Sequence, residues 1–390
     1  MLEGSSLRSC AGIRVLDAAT NIAGPYGASL LADLGAEVIK VEPLRGDPMR
    51  AYPPRADGTT TQFAAVNHGK RYLALDLRTT DGRALLHELV GHADVLIQNV
   101  RAGHEAALGL DALACHAANP RLIHATVAAF HPADGDRPGY DILVQGESGL
   151  LDQTGEPGRP PSRIGASAID HVSGLWLAFA VLAALRGPRD SETVRVSMLD
   201  AALALLNEKI AAYAVSGEAP RRMGAGTSVT TPHGAFATGD GYIVIGAATD
   251  ESYRRLATTL GPPLTDERFA TQAGRVAHRD ELERAVTTAL STHSSEHWLA
   301  TLSGAGIAVG RVSTLPEAVT RHRTDSATGM RRHVDSEAIE VVAPPVSFSA
   351  ERWPPLPLPG APGRDGEAVL RELGIAPDRI SALRERGVVG

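Results

Sequence analysis

Cysteine is nearly absent. Cys10 and Cys115 are the only two, which excludes a disulfide framework and a zinc site built on cysteines. Aromatic residues make up 4% of the 390, too few for stacking on nucleic-acid bases to be a theme. Positive charge does not dominate either: 38 Lys and Arg stand against 45 Asp and Glu, and the net charge of −7 argues against a nucleic-acid partner. Lysine occurs only at Lys40, Lys70 and Lys209, a preference for arginine read here as compositional bias. No apolar run reaches the roughly 18 residues of a membrane span, Leu175 to Leu185 being the longest, and Met1 to Ala11 holds no hydrophobic signal core. What is present is globular in character, with 43% apolar and 21% charged residues. The length suits one large domain or two to three smaller ones, and the whole predicts a soluble, cytoplasmic protein with no membrane association.

The first 150 residues alternate short β-rich runs with helical patterns. Ile13–Leu16, Glu37–Glu42, Tyr72–Leu77, Asp94–Asn99 and Arg121–Ala128 read as buried strands. A helix opens at Gly24-Pro25 and runs to about Leu34, with Gly35 as its stop signal; Thr80 or Asp81 caps the helix after the third strand. Strands alternating with helices indicate an α/β fold, a Rossmann-like doubly wound parallel sheet whose ligands bind beyond the carboxyl ends of its strands. A Gly/Pro-rich loop over Gly155–Pro161 precedes a helix at His171–Leu185, apolar nearly all round and therefore expected to be buried. A further helix spans about Ser197–Tyr213. Residues 234–245 read as a hairpin turning at Gly239-Asp240-Gly241, followed by helices at Glu251–Leu260, Arg279–Leu290 and Glu296–Leu302. This predicts a large α/β domain over 1–200, a linker over 201–224, a smaller α+β domain over 225–330, and 331–390 as a linker with helices completing the large domain.

Several motifs fail. Gly69-Lys70 lacks the upstream glycine and following Ser/Thr of a P-loop, and Gly224-Ala-Gly226 lacks the third glycine and preceding strand of a dinucleotide fingerprint. His293-Ser-Ser-Glu-His297 spells an inverted zinc-protease motif, but a cap at Ser294 or Ser295 makes its histidines straddle a helix start. No metal site is therefore expected. Asp170 is more informative. It follows the small-residue stretch Gly165–Ile169 and heads the apolar helix, so capping alone explains it, and as a cap its loss would cost about 1 kcal/mol. The same position also suits a nucleophile, because a helix dipole would keep the carboxylate ionised and free N–H groups could steady an oxyanion.

The chain resembles the class III CoA-transferases, of the formyl-CoA and carnitine CoA-transferase type. The resemblance rests on ordered segments from end to end. Among them are Arg14-Val-Leu-Asp17, Ala23-Gly-Pro25, Leu34 to Pro43 with Gly46-Asp47, Asn67-His-Gly-Lys-Arg71 with Leu75-Asp-Leu-Arg78, and Gln98-Asn-Val-Arg101. Asn119-Pro-Arg121, Arg137-Pro-Gly-Tyr-Asp141, Ser197-Met-Leu-Asp-Ala201, Asp240 to Val244 and Leu370 to Gly374 continue it. The resemblance implies that Asp170 is the catalytic nucleophile, passing through an aspartyl-CoA thioester. It implies an acyl-CoA and a small carboxylic acid as substrates, coenzyme A as substrate and product, no permanently bound cofactor, and an interlocked homodimer. It places CoA along Ile22 and Ala23, then Leu75, Asp76, Leu77 and Arg78 at the nucleotide end, then Asn99, Val100 and Arg101, with Tyr140 and Asp141 near the reacting centre. Gly224 and Gly226 would belong to a mobile glycine loop.

The family pattern is broken at Ala107, where an arginine is common, at Ala128-Ala-Phe-His131, at Val100 and in the shortened glycine loop. An α-methylacyl-CoA racemase shares the fold but needs a histidine base where Tyr140 stands, with Asp250 a candidate for its carboxylate; a tyrosine is a poor base at neutral pH. A non-catalytic CoA-binding protein on the same scaffold is the third alternative.

Overall fold

The computed structural model describes residues 8–131, 133, 137–188, 190–324, 330–348 and 353–390. It opens with β1 (Arg14–Asp17), α1 (Ala23–Asp33) and β2 (Glu37–Glu42); a small hairpin, β3 (Arg55–Ala56) and β4 (Thr59–Thr60), leads to α2 (Thr61–Asn67) and β5 (Lys70–Ala74). Then come α3 (Thr80–Val90), β6 (Val95–Gln98), α4 (Ala112–Ala118), β7 (Ile123–Ala128), α5 (Asp141–Glu147), α6 (Leu150–Gln153), α7 (Ala168–Arg186), β8 (Glu192–Ser197) and α8 (Met198–Leu205). Six of these strands form one parallel sheet in the order β5-β2-β1-β6-β7-β8. The order runs outward from β1 in both directions, so the switch in winding falls between β1 and β6.

Alternation explains the layers. Leu16, Ile39, Val41, Leu73 and Leu96 share one core with Leu85, Leu86 and Leu89 of α3 and with Val369, Leu370, Ile380 and Leu383 of two C-terminal helices (Gly366–Glu372 and Pro377–Glu385). Their neighbours Val15, Val38, Tyr72, Val95 and Ile97 are equally buried on the other face, as a parallel sheet requires. There α1 lies against α7, and the approach is so close that a Cβ on Gly27 would stand 2.9 Å from the Gly174 carbonyl oxygen.

The chain divides into two compact units, one of 1–148, 165–206 and 326–390, the other of 149–164 and 207–325. The second holds a three-stranded antiparallel sheet built from His233–Ala237, Tyr242–Gly246 and Ala308–Arg311. Phe236, Ile243 and Ile245 of its strands share a core with Leu256, Leu282, Val286, Leu290 and Trp298 of its helices.

Several expectations need correction. The sixth strand, β8, has no counterpart in the sequence reading, because Glu192-Thr-Val-Arg-Val-Ser197 at a sheet edge alternates weakly. The expected helix over Ser197–Tyr213 is two helices, α8 and Asn207–Ser216, broken at Leu206. Thr79, not Thr80 or Asp81, caps α3 through its hydroxyl to the Gly82 N–H. Ser294 caps its helix, yet the imidazoles of His293 and His297 do meet, stacked with centroids 4.1 Å apart. Finally, α7 starts three residues earlier than expected. At 19 residues it is long and apolar enough, by length and composition, to cross a membrane. It is not wholly buried: Ser173, Gly174, Leu177 and Val181 face inward, whereas Leu175, Trp176 and Phe179 are 47–64% exposed.

Candidate active site

Two carboxyls meet where α5 and α7 begin. Asp141, the first residue of α5, is buried. Its Oδ2 accepts from the backbone N–H of Ile169 at 2.8 Å and of Asp170 at 3.3 Å, and its other oxygen accepts from Gln145 one turn on. Asp141 thus caps α7 from outside, a role that no side chain of the N-cap residue Ser167 fills. Asp170 lies in the first turn of α7 and is not the cap, which removes the structural explanation that the sequence offered for it. Burial, and then the Asp141 charge beside it, push its carboxyl up to about 7. The expectation that the helix dipole keeps Asp170 fully ionised is therefore corrected. So is the expected oxyanion role of nearby amides, since the N–H groups of Ile169 and Asp170 go to Asp141 and that of His171 to the Ser167 carbonyl. The His171 ring binds the Ser167 carbonyl oxygen at 2.8 Å and packs edge-on to Tyr26 of α1, 4.7 Å between centroids. Tyr140, just before α5, is 65% exposed.

A second group of residues surrounds the switch between β1 and β6. Ile22 precedes the first turn of α1 and Ala23 begins it, with no side-chain cap on that helix. Asn99 follows β6 and holds the β1–α1 loop at both polar atoms of one residue: its Oδ1 accepts from the Thr20 N–H at 2.9 Å, and its Nδ2 donates to the Thr20 carbonyl at 2.7 Å. Asn21 beside it takes a left-handed backbone with φ 64°. The Val100 N–H donates to Gln98, and Arg101 is exposed.

The segment Leu75–Arg78 leaves β5 at the same sheet end. Leu75 is buried and its backbone pairs with Glu42 and Val389; the Asp76 N–H donates to the Val388 carbonyl. Leu77 and Val100 rest on one hydrophobic core. Arg78 is 81% exposed and forks onto Asp76 at 2.7 and 2.8 Å. Arg83, which the sequence reading missed, ties these loops together by donating to the carbonyls of Leu77 at 3.3 Å, Arg78 at 2.9 Å and Ala107 at 3.5 Å. Its signal was weak, an arginine one turn into α3 with no motif around it. A cavity of about 650 Å³ opens beyond β6, β7 and β8, lined by Val100, Thr126, Phe130 and Ser197 among others; neither Asp141 nor Asp170 lines it.

In the second unit the Gly224 N–H donates to the Gly155 carbonyl, and Arg222 donates to the Asp152 carbonyl at 2.8 Å. Asp250 accepts from the fully buried Arg275 at 2.9 Å.

By architecture this is an α/β protein built on a parallel sheet, with the buried Asp141 beside Asp170 at the head of α7. The family model described as CoA-transferase family III matches residues 10–365. A succinate–glutarate CoA-transferase of Agrobacterium fabrum is 34% identical over 341 residues, covering 84% of this chain and 85% of its own. An acetyl-CoA:oxalate CoA-transferase of Acetobacter aceti is 33% identical, with 94% and 96% covered. The crystal structure of a CaiB/BaiF family protein from Brucella suis superposes with a TM-score of 0.83 at 32% identity, over 94% of this chain and 99% of that one. The chain belongs to CoA-transferase family III. It is an enzyme, a CoA-transferase, and enzymes of this kind use CoA thioesters as substrates.

Proposed function

We propose that the protein moves CoA from an acyl-CoA to a carboxylic acid through a covalent intermediate on Asp170. The observation that carries this reading is the Asp170 carboxyl, relieved of capping by Asp141 and held near a pKa of about 7. Its anion is poorly solvated, and a carboxylate stripped of solvent stabilisation is the better nucleophile. The carboxylate attacks the donor thioester carbonyl; the C–S bond breaks and CoA leaves as thiolate, with a mixed anhydride left on Asp170. The thiolate then attacks the aspartyl carbonyl, releasing the donor acid as carboxylate and leaving an aspartyl-CoA thioester. The acceptor carboxylate repeats the two steps in reverse order and leaves as its own CoA ester, with Asp170 restored. Protons and charges balance at each stage, and no metal or permanently bound cofactor enters.

In this reading the CoA chain follows the switch crevice. The backbone at Ile22 and Ala23 lines one side and Asn99, Val100 and Arg101 the other, while Leu75 to Arg78 take the nucleotide end. Tyr140 stands beside the reacting centre. The relatives named for succinate, glutarate and oxalate favour a short dicarboxylic acid as acceptor. The active species is a homodimer. The test is to mix the protein with acetyl-CoA, quench, and map the adduct by mass spectrometry. An adduct on the peptide holding Asp170, together with acid exchange across a dicarboxylate panel, is expected. Exchange without any adduct, or undiminished in Asp170→Ala, overturns the covalent mechanism.

A further inference from the structure

Of the three lysines in a chain that otherwise uses arginine, two are buried together beneath the β1–α1 loop. Lys40 of β2 and Lys70 of β5 are 0% and 4% exposed. Both face Asp17, the last residue of β1, which is itself fully buried. The Lys70 ammonium has four acceptors around its three N–H groups: Asp17 Oδ2 and the Pro25 carbonyl, each at 2.8 Å, the Asn67 side chain at 2.9 Å and the Val66 carbonyl at 3.1 Å. Lys40 donates to the Ala19 carbonyl and pairs with Asp47 at 3.1 Å. Asp17 in turn accepts from the Ala19 N–H at 3.1 Å. The loop is therefore gripped at Ala19 by Lys40 and Asp17, the first turn of α1 behind it is held at Pro25 by Lys70, and Thr20 is held from the far side by Asn99. Between the two grips lie Asn21 and Ile22, both half-buried, and the buried Ala23.

We propose that Lys40 and Lys70, acting through Asp17, are positioning residues for acyl-CoA binding. The inference rests on the reading that this loop receives CoA, and it assigns the loop's shape to a buried ion cluster. Lysine suits the task and arginine does not, because four acceptors converge on one ammonium nitrogen, a point charge that a planar guanidinium cannot imitate. The charged groups around the cluster are Asp17, Lys40, Glu42, Asp47, Lys70 and Arg50, which pairs with Glu42 at 2.7 Å. Burial, with the Lys40 charge adding to it, outweighs Asp17 and brings Lys70 down to about 8. Asp17, Asp47 and Glu42 hold Lys40 above its ordinary value despite burial. Loss of the Lys70 charge as the pH rises therefore weakens its hold on Asp17 and on the first turn of α1 before Lys40 loosens Ala19.

The test uses the full chain and acetyl-CoA. The double variant Asp17→Asn/Lys70→Met removes one charge of each sign and leaves the Lys40–Asp47 pair in place. Its KM for acetyl-CoA should rise about tenfold, the worth of one buried charged hydrogen bond, while kcat stays within about threefold. Amide hydrogen exchange should accelerate over residues 18–24 while β2 and β6 stay protected. In the native protein, acetyl-CoA affinity should weaken between pH 7 and 9, and protection, measured against the intrinsic pH-dependent exchange rate, should fall only in the same loop; the double variant should lose this dependence. An unchanged KM, a fall in kcat without a rise in KM, or exchange that accelerates throughout the sheet overturns the proposal. If the double variant does not fold, the native pH series decides: affinity and loop protection, corrected for the intrinsic exchange rate, that stay flat from pH 7 to 9 overturn it. Native protein that binds no acetyl-CoA refutes the CoA reading as well, whereas native binding matched by the variant refutes the lysine cluster alone.

Discussion

Asp170 carries a thermodynamic cost that can be read by titration. In the folded chain its carboxyl is pushed up to about 7, while in the unfolded chain it ionises near the ordinary value of 3.8. Between those values the folded state holds more protons, so stability falls as pH rises through the window, and the ionised form above it bears the whole penalty. Two outcomes follow. The kcat for transfer at saturating acyl-CoA should climb through pH 7 and level off above it, because the anion attacks. Asp170→Asn should abolish transfer yet raise the melting temperature at pH 8, by relieving a cost on the order of a few kcal/mol. This reverses the sequence-based expectation of a small loss, which assumed that Asp170 caps its helix. A lower melting temperature in the variant at pH 8 would refute the arrangement. Asp141→Asn provides the complementary measurement. The amide oxygen can still cap α7, but the charge beside Asp170 is gone, so the rise in kcat should move to lower pH. A profile that stays in place would show that Asp141 has no electrostatic hold on Asp170. Arg78→Ala should raise KM for acyl-CoA more than it lowers kcat, since a phosphate contact binds ground and transition states alike. Steady-state kinetics with unchanged KM would remove Arg78 from the binding path.

At the scale of elements, the distance between the β1–α1 loop and Asp170 is set by two helices that touch backbone to backbone. A Cβ on Gly174 would stand 2.7 Å from the Ala23 carbonyl and 2.9 Å from the Tyr26 ring, and one on Gly27 equally close to Leu177. Gly27→Val should therefore cost about 1–3 kcal/mol by overpacking and should reduce kcat as well, because α1 and α7 carry opposite sides of the proposed reaction. Thermal melts and steady-state kinetics check it, and a variant as stable and active as the native protein would show the approach to be slack. Much of this layer was legible in the chain. Glu37–Glu42 and Arg279–Leu290 have the bounds that the sequence pattern predicts, the first as a short apolar run, the second with Leu282, Val286 and Leu290 buried at helical spacing. What was not legible depended on partners remote in sequence. Asp141 caps a helix 28 residues away, Asn99 secures a loop 79 residues away, and β8 is a strand only because β7 pairs with it. Asp170 could be singled out from its place before an apolar helix, but its environment could not, because that environment is another carboxylate.

For the whole molecule, the surface around α7 calls for a partner. Trp176 and Phe179 pack edge to face at 5.7 Å, yet both rings remain about half exposed beside Leu175. On α8, Leu203 and Leu205 are exposed by 36% and 46%, and on α5 Ile142 and Leu143 by 40% and 46%. Large apolar side chains gathered on three helices of one unit mark an association surface more often than a solvated one. The proposed homodimer supplies a cover of the right chemistry, and it explains why α7 is apolar nearly all round while only one side of it packs within its own chain. If each chain also threads the other, as the family resemblance implies, no stable monomer exists and the melting temperature depends on protein concentration. Native protein should scatter light as twice the 40.8 kDa chain mass down to nanomolar concentration. The double variant Trp176→Glu/Phe179→Glu places two carboxylates on the proposed interface, and it should dissociate or aggregate and lose transfer activity with the dimer. A folded, active species of single-chain mass, in the native protein or in this variant, would show that the apolar face serves something other than a second copy, and would leave the chemistry of Asp170 to stand by itself.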